Sequence, residues 1–225
     1  MKKHIVIISG WAGGPDAFKN ISAKPGNSGF LYLPWEKCVT DPDFAVAFIK
    51  ALGRKITVIA WSLGVLAAIK AATSAPELVE ELFLISGTAR MTADADYTGA
   101  SGRDIKAMAA RLEKHREAVI KGFVKNCFNP GHEGEPEFLL SAGGFSVLDL
   151  AAGLEYLEKT DVRNLLSGVK APTVIMHGLK DKIIPFSQAE HMHRHINGSV
   201  LKSFDAGHNL PYILDHEAIN PIGGI

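Results

Sequence analysis

The sequence predicts an α/β domain: a mostly parallel, doubly wound sheet of about six strands with helices on both faces. Three observations lead there. Short apolar runs rich in Ile and Val recur along the chain, as strands buried on both faces require. Longer segments of helical periodicity alternate with them. Gly, Pro, Asn and Asp separate the two kinds of segment.

In chain order, Ile5–Ile8 and Phe30–Leu33 read as the first two strands. Asp41 can cap a helix with Pro42 at its first position, running to Leu52 and stopped by Gly53. Ile56–Ala60 is the third strand, Leu63–Thr73 an Ala-rich helix ending before Pro76, and Leu82–Ile85 the fourth strand. Thr173–Met176 and Val200–Phe204 complete the sheet, and helix Ser187–Ile196 between them ends at Asn197-Gly198.

One interval breaks the rhythm. Between Ile85 and Thr173 lie 87 residues, whereas a crossover needs about a dozen. The surplus predicts a helical insertion, 88–160, in a core made of 1–87 and 161–225. Within it Ile105, Met108, Leu112, Val119, Phe123 and Cys127 form a one-sided apolar stripe. Asn129-Pro130-Gly131 and Gly134-Glu135-Pro136 should break that helix, and Ser141-Ala142-Gly143-Gly144 marks a second flexible point. Such a stripe is ordinary packing in most proteins, but a helical layer over a sheet is also well placed to be a lid.

Composition sets the outer limits. The chain has 225 residues, 24 Lys+Arg against 24 Asp+Glu, and 47% hydrophobic residues. That suits one large domain and excludes intrinsic disorder. A net charge of zero argues against nucleic acid or an anionic membrane as partner, although it can conceal a local patch. Cys38 and Cys127 fit no metal-ligand pattern and read as reduced thiols of a cytoplasmic protein. Met1-Lys2-Lys3 before Ile5–Ile8 has too short an apolar core for a signal peptide, and Val58–Ile69 is too short to span a membrane. A soluble monomer is expected.

The chemistry concentrates in Ala60-Trp61-Ser62-Leu63-Gly64. A strand runs into a serine with small residues two positions away on each side, and a helix follows at once. That matches a nucleophile elbow, G-x-S-x-G, with Ala60 replacing the first glycine; the plainer alternative is a βα turn with Ser62 as helix cap. A serine nucleophile needs a base, and the base an orienting acid, in the order Ser, Asp/Glu, His on late loops. Asp181 follows the Thr173–Met176 strand and His208 the last strand, at the carboxyl ends where such sheets bind ligands. Asp94 and Asp96 are weaker acid candidates because they lie in the insertion. His191, His193 and His195 lack a third ligand at a recognised spacing, so no metal is expected. The Gly-rich Ser9-Gly10-Trp11-Ala12-Gly13-Gly14 loop could place the Trp11 N–H beside that of Leu63 as a pair of oxyanion donors.

Elbow, aspartate loop, histidine loop and insertion together resemble the α/β-hydrolase superfamily. Within it the chain is most similar to the pimeloyl-carrier-protein methyl ester esterases of biotin synthesis, clearest in Ala60–Gly64, in Gly153-Leu154-Glu155-Tyr156-Leu157 leading to Thr160-Asp161-Val162-Arg163, and in the Asp181 and His208 loops. The resemblance implies Ser62 as nucleophile, His208 as base, Asp181 as orienting acid, and no cofactor. It implies that Phe123 to Cys127 line an acyl channel beside Trp11 and Leu63. It also implies that basic lid residues, here Arg111, Lys114 and Arg116, receive an acidic acyl-carrier protein. Arg103 to Lys125 holds seven basic residues against three acidic ones, so the rest of the chain carries a surplus of four negative charges. A solvated helix face would show the same charges.

The chain departs from the family in having Ser9-Gly10 where His-Gly is usual, in starting directly at the first parallel strand, and in a C-terminal helix that ends early at Ile225. The expected activity is cofactor-free hydrolysis of an acyl methyl ester. The alternatives are a general short-chain carboxylesterase without a carrier partner, and a non-catalytic binding protein of the same fold.

Overall fold

All six strands fall where the apolar runs predict them. A computed structural model describes residues 3–22, 28–128 and 135–219. The strands are β1 (Lys3–Ile8), β2 (Ser28–Leu33), β3 (Ile56–Trp61), β4 (Val79–Ile85), β5 (Thr173–Gly178) and β6 (Val200–Phe204). They form one sheet in the order β2-β1-β3-β4-β5-β6, and every neighbouring pair is parallel. Central strand β3 is buried along its whole length, as its run Ile-Thr-Val-Ile-Ala-Trp requires. β6, at one edge, exposes Lys202 and Ser203, so its polar residues sit where burial is least demanded.

The helices are α1 (Lys19–Ser22), α2 (Trp35–Thr40), α3 (Phe44–Leu52), α4 (Gly64–Ser74), α5 (Gly102–Cys127), α6 (Glu135–Gly143), α7 (Val147–Lys159), α8 (Phe186–His195) and α9 (Leu210–Ile213). Helix α4 buries residues on all sides, including Val65, Leu66, Ala67, Ala68, Ile69, Ala71 and Ala72; its alanines let it lie close against the sheet.

The start of α3 corrects the expected cap. The helix begins at Phe44 and not at Pro42, and Asp41 accepts the Asp43 amide at 3.0 Å in a turn closed by Phe44 N–H to the Asp41 carbonyl. The preceding residues form α2, which the sequence reading leaves out. Pro42 serves the turn, because α2 has just ended and the chain must reverse before α3. The end is as expected: Gly53 adopts φ +59°, a left-handed C-cap.

Between β4 and β5 run a bridged loop and helices α5, α6 and α7. Helix α5 is not one straight rod. His115 takes non-helical angles (φ −138°, ψ 36°) and divides it into two arms. Ile105, Leu112, Val119 and Cys127 of the stripe are buried, while Met108 and Phe123 are half-buried. The Gly143-Gly144 point is the turn into α7, which opens with a reciprocal capping box between Ser146 and Asp149. The proposed break at 129–134 and the C-terminal residues 220–225 lie outside the described residues. Among the described residues no single helix is long and apolar enough to cross a membrane.

Candidate active site

The chain runs from β1 to β2 on one side and then to β3 on the other, so the sheet reverses direction between β1 and β3. Loops at the carboxyl ends of these strands diverge there and leave a crevice. Ser62 lies at that point, directly after β3, with φ +53°. A left-handed serine is strained, and the surroundings hold it: its amide donates to the Ile85 carbonyl at 3.0 Å and Val65 N–H returns to its own carbonyl. The small flanking residue has a measurable cause. A Cβ on Gly64 would come within 2.5 Å of the Ile8 carbonyl oxygen and 2.7 Å of that of Ser9. Both are rigid backbone, so strand-to-helix closure demands glycine. Gly64→Ala is therefore expected to cost about 1–3 kcal/mol of stability and to lower ester turnover, read from urea midpoints and p-nitrophenyl ester kinetics together.

Three residues predicted from separate loops meet. His208 Nε2 lies 2.9 Å from Ser62 Oγ, and His208 Nδ1 lies 2.8 Å from Asp181 Oδ2. The other Asp181 oxygen, Oδ1, accepts the amides of Ile183 (2.8 Å) and Ile184 (2.9 Å). Burial pushes the Asp181 carboxyl up, but His208, His177 and the Ile184 amide outweigh it and hold the group below its ordinary range. With Asp181 ionised, the facing Nδ1 carries the proton and Nε2 is free to accept from serine.

The histidine loop is pinned from two directions that sequence reading misses. Trp61 donates its indole N–H to the His208 carbonyl (3.0 Å), and Asn209 N–H donates to the Cys127 carbonyl (3.1 Å). Cys127 meets the site through its backbone, and its buried side chain is not among the residues that wall the cavity over Ser62, where the acyl channel was expected. Burial first, then the Asp181 charge, push its thiol well above the ordinary range, so it stays protonated and unreactive. Cys38 is likewise buried and free.

Phe123 does line the cavity above Ser62. That cavity has a volume of about 190 Å³ and is walled by Trp11, Met91, Ile105, Met108, Leu154 and Leu157 among others, with Asp104 and Lys182 as charged members. A straight helix would hold Ile105 and Phe123 about 27 Å apart; the break at His115 lets both arms of α5 face one space.

Trp11 and Leu63 are buried, and the amides of neither residue meet an acceptor among the described residues. Two unspent N–H groups, one on the residue after Ser62 and one on the residue after Gly10, which packs against Ser62, are what a developing oxyanion needs. The Trp11 side chain is held separately: its indole N–H donates to the Leu150 carbonyl of α7 at 2.8 Å, and its ring meets Phe123 edge-on at 4.9 Å. This approach explains Gly153, where a Cβ would come within 2.6 Å of Trp11 and 2.7 Å of Trp35. Ser9, in place of the usual histidine, is buried and reaches the Gly14 carbonyl at 3.5 Å.

Other candidates lie apart. Asp94 pairs with Arg90 and, at 2.9 Å, with Arg163; Asp96 donates its amide to Asp94 Oδ1. His191 and His195 stack on each other at 4.2 Å while His193 turns to Ser199, so the three imidazoles do not converge. Arg116, expected to dock a partner, instead reaches the carbonyls of Ala142 (2.7 Å), Gly143 (3.2 Å) and Phe145 (2.8 Å). It closes the end of α6, sharing the Ala142 carbonyl with the Phe145 amide at 3.4 Å. Arg111 and Lys114 are exposed on α5.

Solved structures share this architecture. An esterase from Exiguobacterium antarcticum superposes with a TM-score of 0.82 at 24% identity over 92% of this chain and 85% of its own. A bromoperoxidase from Bacillus anthracis gives 0.81 at 16% identity over 97% and 91%. The chain has the α/β-hydrolase fold. Among curated relatives, the pimeloyl-[acyl-carrier protein] methyl ester esterase of Neisseria meningitidis serogroup C is 30% identical over 171 residues, which is 72% of this chain and 65% of that protein. A serogroup B counterpart is 29% identical over 96% of this chain and 89% of its own length. No family model matches the chain.

Proposed function

We propose that the protein is a serine carboxylesterase that hydrolyses an acyl methyl ester, most specifically a pimeloyl-[acyl-carrier protein] methyl ester in the cytoplasm. The observation that carries the reading is the unbroken relay from Ser62 Oγ through His208 to Asp181, opening into an apolar cavity. In this reading Ser62 Oγ attacks the ester carbonyl as His208 Nε2 takes its proton. The Leu63 and Trp11 amides receive the oxyanion. His208 returns the proton to the departing methanol, then activates the water that cleaves the acyl-enzyme. Helices α5 and α7 form the lid, and the acyl chain lies along Phe123, Met108 and Leu154. The names of the Neisseria relatives support the substrate, and the apolar wall supports a medium-length chain.

The test compares a carrier-bound pimeloyl methyl ester with the free methyl ester. Carrier-dependent preference, reduced by Arg111→Glu and Lys114→Glu with folding unchanged, is the expected result. Equal turnover of both esters would favour a general short-chain carboxylesterase. Arg116→Ala is expected to behave differently from its neighbours. It should lower stability by about 1.5–3 kcal/mol through the abandoned carbonyls, read as a shifted denaturation midpoint.

A further inference from the structure

We propose that His177 is a positioning residue for the hydrolysis, locking the 181–184 turn that presents the Asp181 carboxylate to His208. The proposal rests on the hydrolase reading above and adds a fourth side chain to it. His177 is the penultimate residue of β5, a strand otherwise filled by Thr, Val, Ile, Met and Gly, and its side chain is wholly buried. A buried imidazole in such a strand needs a partner.

The ring has two polar atoms with different fates. Nε2 lies 2.9 Å from the Ile184 carbonyl oxygen and 3.4 Å from Asp181 Oδ2. A carbonyl can only accept, so Nε2 carries the hydrogen. Nδ1 is buried and meets no donor, which agrees with a neutral ring protonated on Nε2 alone. Asp181 and His208 are the charged or titratable groups that act on it. Burial and the charge of His208 outweigh the attraction of Asp181 and keep the ring below the ordinary histidine value. One face is fixed by Phe186, edge-on at 6.0 Å.

The contacts close a circuit. Ile184 gives its amide to Asp181 Oδ1, and its carbonyl takes the His177 hydrogen. The Nε2 atom also lies 3.4 Å from Asp181 Oδ2, the oxygen that receives His208. His177 therefore holds the residue whose amide holds the carboxylate, and lies beside the carboxylate as well. Ile184 is itself buried, so without His177 its carbonyl would lose its donor, and a rearrangement of the 184–185 peptide to find another would disturb Ile184 and the support its amide gives Oδ1.

The experiment uses the full chain with His177→Phe, which fills the space without a donor, and His177→Gln, whose amide nitrogen can reach the Ile184 carbonyl. Short p-nitrophenyl ester kinetics, urea denaturation and the far-downfield proton signal of the His208–Asp181 hydrogen bond are measured on each. His177→Phe should lower kcat by about 10- to 100-fold with KM nearly unchanged, and weaken or move the downfield signal. His177→Gln should stay within about threefold of wild type and keep the signal. A His177→Phe protein with wild-type kcat and an unmoved signal overturns the proposal. So does a His177→Gln protein as impaired as His177→Phe, or a lowered denaturation midpoint alone. If His177→Phe does not fold, His177→Asn, too short to reach the carbonyl, is read in its place. If the wild-type protein hydrolyses no ester, the hydrolase reading fails, and the proton signal still decides whether His177 positions the carboxylate.

Discussion

Ser62→Ala is expected to lower hydrolysis of short p-nitrophenyl esters by about four to six orders of magnitude. The size follows from how little else in the site can replace the hydroxyl. The remaining side chains within reach of the cavity are apolar apart from Asp104 and Lys182, and the nearest thiol, Cys127, is sealed off and protonated. What survives is the oxyanion pair and substrate binding, which stabilise attack by water only weakly. KM should change little, because the hydroxyl contributes to the transition state more than to the bound ester. The alanine also sits at φ +53° without trouble greater than serine's, so the fold should persist, as circular dichroism can check. Equal activity in both proteins would sink the nucleophile assignment and revive the binding-protein alternative.

The second large effect is expected from Asp181→Asn, about 10⁴-fold in kcat. Its direction is fixed by the two backbone amides that converge on Oδ1, from Ile183 and Ile184. They can donate only to an oxygen opposite them, so the asparagine carbonyl must take that place and its NH₂ must face His208. An NH₂ cannot accept the Nδ1 hydrogen. The ring then switches to the tautomer protonated on Nε2, pointing a donor at Ser62 Oγ, 2.9 Å away. The base is lost while every heavy atom stays near its position. A coordinate shift of His208 in the variant, in place of a tautomer switch seen by nitrogen NMR, would refute this account.

How far the sequence carried the site depended on where each signal lay. The six strands and the Ser62, Asp181 and His208 loops were legible because burial on both faces and the elbow spacing are local patterns, each confined to a short window. The missed contributors act across long separations. Trp61 reaches 147 residues to the His208 carbonyl, and Trp11 reaches 139 to that of Leu150; nothing in either window announces the partner. Helix α2 was missed because six residues bounded by Pro34 and Asp41 offer too little periodicity. Counting charge on a helix does not show where each side chain ends, and three carbonyls claim that of Arg116. His177 had a readable trace, a lone imidazole in an apolar strand, but only the Ile184 carbonyl reveals its use.

The packing of Gly153 against Trp11 and Trp35 has a bearing on any attempt to redesign the pocket. The indole of Trp11 is fastened to α7, while the same residue shares the cavity wall with Ser62 and follows Gly10, which packs against that serine. Roof and reaction centre therefore share a fulcrum. A side chain introduced at 153 to reshape the acyl space would lever the indole away from Leu150 and turn the adjoining peptide. Chain-length preference and rate are thus mechanically coupled here. A redesign that spares the rate must work on the first arm of α5, around Met108, because Phe123 packs against both Trp11 and His208.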